Sequence, residues 1–346
     1  MKAAILENKG VMTYGDVEQP VLQSGHVLLQ VNAASICGSD LSRYVKGHRL
    51  YPLILGHEVA GVIIETGAGV DAQLVGRHAA VIPLVPCFEC NECQRGFFSA
   101  CHRYSFIGSR QSGGFAEYVQ IPVRNVLLLP DSISFEKATL IEPATVARHI
   151  LDLGNFEAGQ SAVVLGGGSI GLMTVQWLRI LGAKLIVCTD VLDENLATAR
   201  DLGAHKTFNP KRVNVKDEVR KLIGDGVDLT IEASGSPQAL AESIQITRPR
   251  GTVVCAGNQP LDANLPMAFI EDLMRRELAI KGCFMSYSAP FPGHEWVESL
   301  QAVIDRRLDM DAMITHRFVL SETPHVFEQI AARQFAYRKI ILQPQT

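Results

Sequence analysis

The sequence lacks the features expected of a membrane protein, a nucleic-acid-binding protein or a secreted protein. Its net charge is only -4 over 346 residues, so neither nucleic acid nor an anionic membrane is expected as a partner. The N-terminus reaches Glu7 and Lys9 before any apolar segment can form, and no signal peptide is indicated. The uncharged run at 158–178 contains five glycines, which is typical of a strand, a glycine loop and a helix rather than of a membrane span.

Internal repeats, low-complexity linkers and the charge excess of disordered chains are also absent from the sequence. A hydrophobic content of 47% with 20% charged residues is ordinary for a soluble globular enzyme, and the length predicts two domains. The eight cysteines, without a secretory signal, are expected to be reduced thiols that bind metal or lie in the core. The expected location is therefore the cytoplasm.

Four of these cysteines are closely spaced. Cys87, Cys90 and Cys93 are each separated by two residues, and Cys101 follows after a short loop. Core cysteines would need apolar neighbours, but this loop is rich in Asn, Glu, Arg and Gly. Four thiolates at this spacing can close a tetrahedral zinc site without a supporting core. The segment 87–101 therefore predicts a structural zinc lobe, because such a site leaves no coordination position open for a substrate.

A glycine-rich segment predicts a dinucleotide site. The apolar run 161–165 is followed by the pattern Gly-x-Gly-x-x-Gly and a helical stretch, the order in which a Rossmann fold holds a pyrophosphate at a helix N-terminus. A second strand, 184–189, ends in Asp190, whose carboxylate can accept both ribose hydroxyls and repel a 2′-phosphate. No basic residue follows before Arg200, so NAD is favoured over NADP. The predicted cofactor contacts are Gly166, Gly168, Ile170, Gly171 and Asp190.

Strands and helices alternate beyond the glycine loop, whereas the first 36 residues are β-rich. Three helices and a last strand are predicted, at 193–202, 217–223, 237–246 and 278–284. This alternation predicts an α/β fold with a doubly wound parallel sheet. In the β-rich part, a helix is expected directly after Cys37, with Ser39 or Asp40 as its cap.

Three separated residues predict a second zinc site. His57 directly precedes Glu58 after a short apolar run, a pattern that alone is more typical of a structural histidine. Glu142 lies among apolar residues, where a carboxylate either meets a partner or faces the dipole of the predicted helix 144–153. Three ligands with a fourth position open is the catalytic arrangement of zinc. We therefore predict that Cys37, His57 and Glu142 hold a catalytic zinc, although the same set also suits cobalt or manganese.

Together, these motifs resemble the zinc-dependent medium-chain alcohol and polyol dehydrogenase family over essentially the whole chain. The resemblance rests on the glycine loop, the four cysteines, Asp190 and the segments Cys37-Gly38-Ser39-Asp40, Gly56-His57-Glu58 and Ile141-Glu142-Pro143. It implies a GroES-like β-rich catalytic domain made of 1–145 and 284–346, which includes the lobe, and a Rossmann NAD-binding domain at 146–283. It also implies an active site at the domain junction and a homodimer or homotetramer.

The resemblance implies further roles near the predicted zinc. A zinc Lewis acid would favour loss of the proton of a substrate hydroxyl, and a hydride would pass to the nicotinamide. Ser39 would carry the released proton first. Related alcohol dehydrogenases often continue with a histidine three residues on, but that residue here is Ser42, so a water chain or Glu142 completes the transfer. Glu58 resembles a family carboxylate that lies behind the metal and is not one of its three predicted ligands.

Three other segments narrow the resemblance to bacterial enzymes that oxidise a secondary hydroxyl of a polyol phosphate to a ketose phosphate. They are 106–110, 113–118 and 286–296. A phosphate needs cationic or amide donors, and the predicted anchors are Arg43, Arg110 and His294, with Arg43 in a basic run that ends at Arg49. An unphosphorylated polyol, such as sorbitol or iditol, is the alternative substrate. A non-catalytic structural protein on the same fold is the remaining alternative, against which the complete set of predicted ligands argues.

Overall fold

The computed structural model describes residues 1–258 and 267–345, and the chain divides into two compact units. The first unit comprises Met1–Glu142, Tyr287–Ile304 and the chain from Met310 to the C-terminus. The second comprises Pro143–Ser286 and Asp305–Asp309. None of the described helices has the length and apolar character needed to cross a membrane.

Most of the described chain is in regular secondary structure. The strands of the described residues are β1 (Lys2–Asn8), β2 (Val11–Asp16), β3 (His26–Ser35), β4 (Leu53–Ile54), β5 (Glu58–Thr66), β6 (His78–Val81), β7 (Leu84–Val85), β8 (Ser105–Phe106), β9 (Tyr118–Pro122), β10 (Val126–Leu128), β11 (Ser161–Leu165), β12 (Leu185–Thr189), β13 (Lys206–Phe208), β14 (Val227–Glu232), β15 (Thr247–Cys255), β16 (Ala279–Gly282), β17 (Ile314–Val319) and β18 (Lys339–Gln343). The α-helices of the same residues are α1 (Gly38–Lys46), α2 (Asn91–Gln94), α3 (Phe135–Thr139), α4 (Ile141–Leu153), α5 (Ser169–Ile180), α6 (Asp193–Asp201), α7 (Val215–Ile223), α8 (Pro237–Ile246), α9 (Met267–Arg275), α10 (His294–Ile304) and α11 (Thr323–Ala331).

The first unit is built on a mainly antiparallel sheet. As far as the chain is described, its strands lie in the order β10-β6-β5-β3-β18-β17, and β9 also pairs with β3. The long central strand β3 is largely buried, because Val27, Leu29 and Val31 pack into a core that also contains Phe115 and Phe327. The pair β3–β5 positions the site, since the candidate ligands lie where β3 ends and β5 begins.

The second unit contains a fully parallel sheet. Its six described strands lie in the order β13-β12-β11-β14-β15-β16, which is the strand order of a Rossmann fold. The inner strand β11 is buried at all five positions, as expected for an apolar run in a parallel sheet covered on both faces. The α/β fold with a doubly wound parallel sheet is therefore confirmed.

Two helix starts near the predicted zinc ligands differ from the prediction. Helix α4 begins three residues earlier, at Ile141, so that Glu142 lies in its first turn. The following proline is tolerated there, because the first N–H groups of a helix have no helical partner. Helix α1 is capped by Cys37, and not by Ser39 or Asp40: Sγ of Cys37 accepts a hydrogen bond from Ser39 N, and the Asp40 carboxylate accepts one from Cys37 N. Both differences place a predicted ligand at a helix N-terminus, where the helix dipole stabilises an anion.

Candidate active site

The register of strands β3 and β5 brings two predicted zinc ligands together. Ser35, the last residue of β3, is paired with Glu58, the first residue of β5. Cys37 follows soon after β3, and His57 directly precedes β5. One ligand atom each of Cys37, His57 and Glu58 lies within 4.8 Å of the others. The sheet therefore fixes a thiol, an imidazole and a carboxylate at one point of the first unit.

The carboxylate of Asp40 faces the Nδ1 side of the His57 imidazole. Its carboxylate is fully buried, and Oδ1 lies 3.3 Å from Nδ1 of His57, close enough for an ion pair although the two are not aligned as a hydrogen bond. Burial lowers the pKa of His57, but the nearby Asp40 and Cys37 outweigh burial and raise it well above its usual value. Because Nδ1 faces Asp40, the other ring nitrogen is the one that can face a metal.

Glu58 is paired with a buried lysine. Nζ of Lys339 donates to both carboxylate oxygens, at 2.6 Å for Oε2, and Ser35 Oγ donates to Oε2 as well. Strand β18 pairs with β3, and this pairing carries Lys339 to the site from the far end of the chain. Burial lowers the pKa of Lys339, but Glu58 and Cys37 outweigh burial and raise it. This pairing favours a supporting role for Glu58 over direct metal ligation.

Glu142, in the first turn of α4, interacts electrostatically with His57 and Glu58. Burial raises the pKa of its carboxyl group to about 7, an effect that His57 and Lys339 oppose and Glu58 reinforces. Within the described residues, the ligand atoms that approach one another to 4.8 Å include Glu58 and not Glu142. Glu142 as the third zinc ligand therefore stays a prediction.

The donor chemistry fits zinc. Thiolate, imidazole and carboxylate are its usual protein ligands, and three of them leave a position for a substrate oxygen. The raised pKa of Glu142 also fits, because a carboxyl group that titrates near 7 gives up its proton when a cation binds. Cys37, His57 and Glu142 would hold the ion.

The predicted proton carrier is already in contact with one predicted phosphate anchor. Ser39 Oγ accepts a hydrogen bond from Arg43 Nη1 at 2.9 Å, and the same nitrogen lies 3.3 Å from Asp40 Oδ1. Arg43 is thus tied to its own helix. His294, another predicted anchor, is half-exposed, and its Nδ1 lies 3.2 Å from Ser288 Oγ.

Three arginines act electrostatically on His48. Burial lowers the pKa of His48, and the charges of Arg43, Arg49 and Arg110 lower it further. Nη1 of Arg110 donates to the carbonyl oxygen of Tyr104 at 2.8 Å, and its guanidinium carbon lies 3.4 Å from the centre of the Tyr104 ring. Cationic side chains near His48 would attract a phosphate group.

Four thiols converge in the predicted structural zinc lobe. The Sγ atoms of Cys87, Cys90, Cys93 and Cys101 all lie within 4.8 Å of one another, and three of the pairs are separated by 3.5, 3.9 and 3.9 Å. A tetrahedral site with Zn–S bonds of about 2.3 Å separates its sulfurs by about 3.8 Å, so these distances fit zinc. All eight cysteines are free of disulfides. Backbone N–H groups of Glu89 and Cys90 lower the pKa of Cys87 to about 6, which favours the thiolate that binds metal.

Aromatic side chains pack against the four-cysteine lobe. The rings of Phe88, Phe98 and Phe291 lie 5.3–5.7 Å apart, and Phe291 stacks on Tyr287, which in turn stacks on Trp296. Tyr287 and Trp296 are buried and therefore act in packing. The expectation that apolar neighbours are scarce around the lobe is wrong. Phe88 and Phe98 lie within the lobe, and the segment after Ser286 adds Phe291 from a distant part of the sequence.

The predicted cofactor loop forms a tight turn between β11 and α5. A Cβ atom on Gly171 would lie 1.8 Å from the carbonyl oxygen of Gly166, and Gly166 has a φ of 105°, so the turn requires glycine at both positions. Gly168 is the N-cap of α5 and supplies no side-chain cap, while Ile170 lies half-buried in the first turn. The first N–H groups of α5 are suited to a pyrophosphate.

Asp190 ends β12 beside the glycine loop. Its Oδ2 accepts a hydrogen bond from Gly167 N at 2.7 Å, and its Oδ1 accepts one from Leu192 N at 2.8 Å. Each oxygen keeps a lone pair for a ribose hydroxyl. The next basic residue, Arg200, donates to Thr207 Oγ1 at 2.7 Å. The carboxylate is therefore fixed where a Rossmann fold places the adenosine ribose.

Comparison with known proteins identifies the class to which the chain belongs. The family model of the alcohol dehydrogenase GroES-like domain matches residues 23–131, and that of zinc-binding dehydrogenase matches residues 169–304. The chain belongs to the zinc-binding, medium-chain alcohol dehydrogenase family, and it is an oxidoreductase with a GroES-like domain and a Rossmann fold. The predicted family is confirmed.

Three relatives show the range of this similarity. Galactitol 1-phosphate 5-dehydrogenase of Escherichia coli K12 is 34% identical over 99% of this chain and 100% of its own, and the crystal structure of the Escherichia coli enzyme matches with a TM-score of 0.94 over the same shares. Sorbitol dehydrogenase of Bacillus subtilis 168 is 31% identical over 99% of this chain and 97% of its own. A zinc-binding dehydrogenase structure from Sinorhizobium meliloti 1021, bound to NADP, is 29% identical over 99% of both chains, with a TM-score of 0.91.

Sequence reasoning missed two residues of the site. Lys339 was not assigned to the site, although a lysine directly before an apolar run is a signal for a buried partner. Asp40 is read as a helix cap, whereas it packs on His57. Both residues act through partners that are distant in sequence, so a single sequence does not reveal them.

Proposed function

We propose that the protein oxidises a secondary hydroxyl of a polyol phosphate, with galactitol 1-phosphate as the leading candidate, to a ketose phosphate. The observation that carries this proposal is the convergence of Cys37 and His57, with Glu142 nearby, in a chain that also has a glycine loop and Asp190. The choice of a phosphorylated substrate is supported by the similarity to galactitol 1-phosphate 5-dehydrogenase and by the basic groups around His48.

The side chains of the first unit suggest how a proton leaves the substrate. When bound, zinc supplies Lewis acidity at the substrate hydroxyl and NAD supplies the hydride acceptor. Ser39 Oγ has two lone pairs, of which Arg43 occupies one, so the other can accept the substrate proton while the Ser39 hydroxyl passes on its own. Water would receive that proton, because Glu142 is the proposed third zinc ligand. Arg43 thus orients the carrier, and a phosphate would be bound by Arg49 and Arg110.

The substrate proposal is tested by comparing galactitol 1-phosphate with galactitol. The wild-type protein should oxidise the phosphorylated polyol with the higher kcat/KM. Arg110→Met should lower kcat/KM for galactitol 1-phosphate by about 10- to 100-fold, the range for one hydrogen bond to a charged group, and leave galactitol unaffected. Arg275→Met, which removes an exposed arginine paired with Glu271, is the control and should change neither value.

Two outcomes would reject this proposal. Equal efficiency of the wild-type protein with galactitol, sorbitol and galactitol 1-phosphate would favour the unphosphorylated-polyol alternative, which the similarity to sorbitol dehydrogenase supports. Failure to form NADH or NADPH from any polyol, with both zinc ions bound, would favour a non-catalytic protein.

We propose NAD as the physiological cofactor, and Asp190 tests this choice. Asp190→Ser removes an acceptor for the ribose hydroxyls and the charge that repels a 2′-phosphate, so kcat/KM should fall about 10- to 100-fold for NAD and rise for NADP. Steady-state kinetics with each cofactor at saturating polyol measure the ratio of kcat/KM for NAD to kcat/KM for NADP. Asp193→Ser removes a nearby surface carboxylate paired with Arg212 and should leave the ratio unchanged. A wild-type preference for NADP would contradict the proposal.

We also propose that the protein is a homodimer or homotetramer that works in the cytoplasm. Among the described strands β16 pairs only with β15, and Ile280 and Phe284 beside this edge are exposed, so a second chain could cover them. The cytoplasm is supported by eight cysteines without a disulfide. Sedimentation equilibrium would distinguish the two assemblies from a monomer.

A further inference from the structure

A buried carboxylate, Glu232, lies at the end of strand β14 in the second unit. Its side chain is fully buried, and Oε1 accepts hydrogen bonds from Ser234 N at 2.8 Å, Ser234 Oγ at 2.6 Å and Gly235 N at 2.9 Å. A buried carboxylate is costly unless donors surround it. These three donors all come from the turn that follows the strand, so the carboxylate and the turn fix each other.

This turn packs directly against the glycine loop. A Cβ atom on Gly166 would lie 2.8 Å from both Cα and N of Ser234, so the two backbones are as close as glycine allows. Ala233 N also donates to the carbonyl oxygen of Leu165 at 2.9 Å. Strands β11 and β14 are neighbours in the sheet, with Leu165 paired to Glu232. The position of the turn at 233–235 therefore sets the position of the loop.

We infer that Glu232 is a positioning residue for the dinucleotide. Its carboxylate holds the 233–235 turn against the glycine loop, and the loop presents its N–H groups at the carboxyl ends of the strands, where a Rossmann fold binds its ligand. The inference rests on the proposed NAD site. It goes beyond that site because Glu232 lies outside the glycine motif and acts on the cofactor through Ser234 and Gly235.

The test measures NADH binding and does not depend on turnover. Glu232→Gln keeps the size of the side chain but removes the negative charge that accepts the three hydrogen bonds. Glu232→Asp keeps the charge, but its shorter side chain brings the carboxylate less close to the three donors. Each variant should raise the Kd for NADH, measured by its fluorescence enhancement, by about tenfold. The zinc content and the KM for the polyol at saturating NAD should stay within about twofold of wild type.

Strand β14 provides a matched control at its other end. Asp228 accepts hydrogen bonds from Ser161 N at 2.8 Å, Ser161 Oγ at 2.6 Å and Arg248 Nε at 2.7 Å, a donor set of the same size, but it lies away from the glycine loop. Asp228→Asn should lower the Tm and leave the Kd for NADH unchanged.

Three results are decisive. An unchanged Kd for NADH in folded Glu232→Gln and Glu232→Asp proteins would overturn the inference. An equal rise in Kd in Asp228→Asn would also overturn it, since a general loss of sheet stability would then be the cause. Failure of the wild-type protein to bind NADH or NADPH would instead reject the dinucleotide site on which the inference rests.

Discussion

Replacing Cys37 by alanine should lower kcat/KM for the polyol by about a thousandfold and reduce the zinc content from two ions per chain to one. The thiol is one of the two predicted ligands that β3 and β5 bring within 4.8 Å. Lewis-acid stabilisation of a developing alkoxide is worth several kcal/mol, and about 1.4 kcal/mol corresponds to tenfold in rate. Zinc is measured by atomic absorption after gel filtration, and activity by NADH formation.

A second thiol outside both zinc sites provides the control. Cys283 follows β16 in the second unit, and Cys283→Ala should keep both zinc ions and wild-type activity. Full activity of Cys37→Ala with two zinc ions per chain would contradict the proposed catalytic centre. Loss of both ions would mean that this substitution also disturbs the four-cysteine lobe, and Cys101→Ala would then be needed to show which ion each site holds.

Replacing Lys339 by methionine should lower the free energy of unfolding of the first unit by about 3–5 kcal/mol, because it leaves Glu58 buried and without its cation. The chain has two tryptophans, and Trp296 belongs to the first unit whereas Trp177 belongs to the second. In a Trp177→Phe background, the fluorescence of buried Trp296 therefore reports unfolding of the first unit in urea.

An exposed ion pair provides the control for the buried pair of Lys339 and Glu58. Lys137 forms a 2.7 Å ion pair with Asp311 in which both side chains are exposed, and Lys137→Met should cost less than about 1 kcal/mol. Adding Glu58→Leu to Lys339→Met should recover most of the lost stability, because no uncompensated charge then remains. A loss no greater for Lys339→Met than for Lys137→Met would contradict the burial of this pair.

The features predicted correctly from the sequence are those carried by contiguous residues. The βαβ alternation and the glycine loop specify a Rossmann sheet because strand, turn and helix follow one another directly, and α8 has the predicted bounds, 237–246. The four cysteines of the lobe likewise converge because short spacings allow few other arrangements. Local spacing limits the geometry in both cases, so one sequence is sufficient.

The features that were not predicted depend on contacts between distant segments. Lys339 meets Glu58 only because β18 pairs with β3, and Phe291 packs on the lobe only because its segment returns to the first unit. The contact of Arg43 with Ser39 was not predicted, although helical spacing places the two residues on the same helix face. Arg43 as a phosphate anchor stays a prediction. Tertiary pairing and side-chain direction decide these contacts, and neither can be read from residue types alone.

The central claim is that zinc binds between Cys37 and His57 as well as in the four-cysteine lobe. Diffraction data collected on both sides of the zinc absorption edge, from crystals grown with zinc and NAD, test it most directly. The account predicts two anomalous peaks per chain, one among the four thiols and one in contact with Sγ of Cys37, a ring nitrogen of His57 and the Glu142 carboxylate. A peak in the lobe alone, with residues 37 and 57 well ordered and no ion between them, would contradict it.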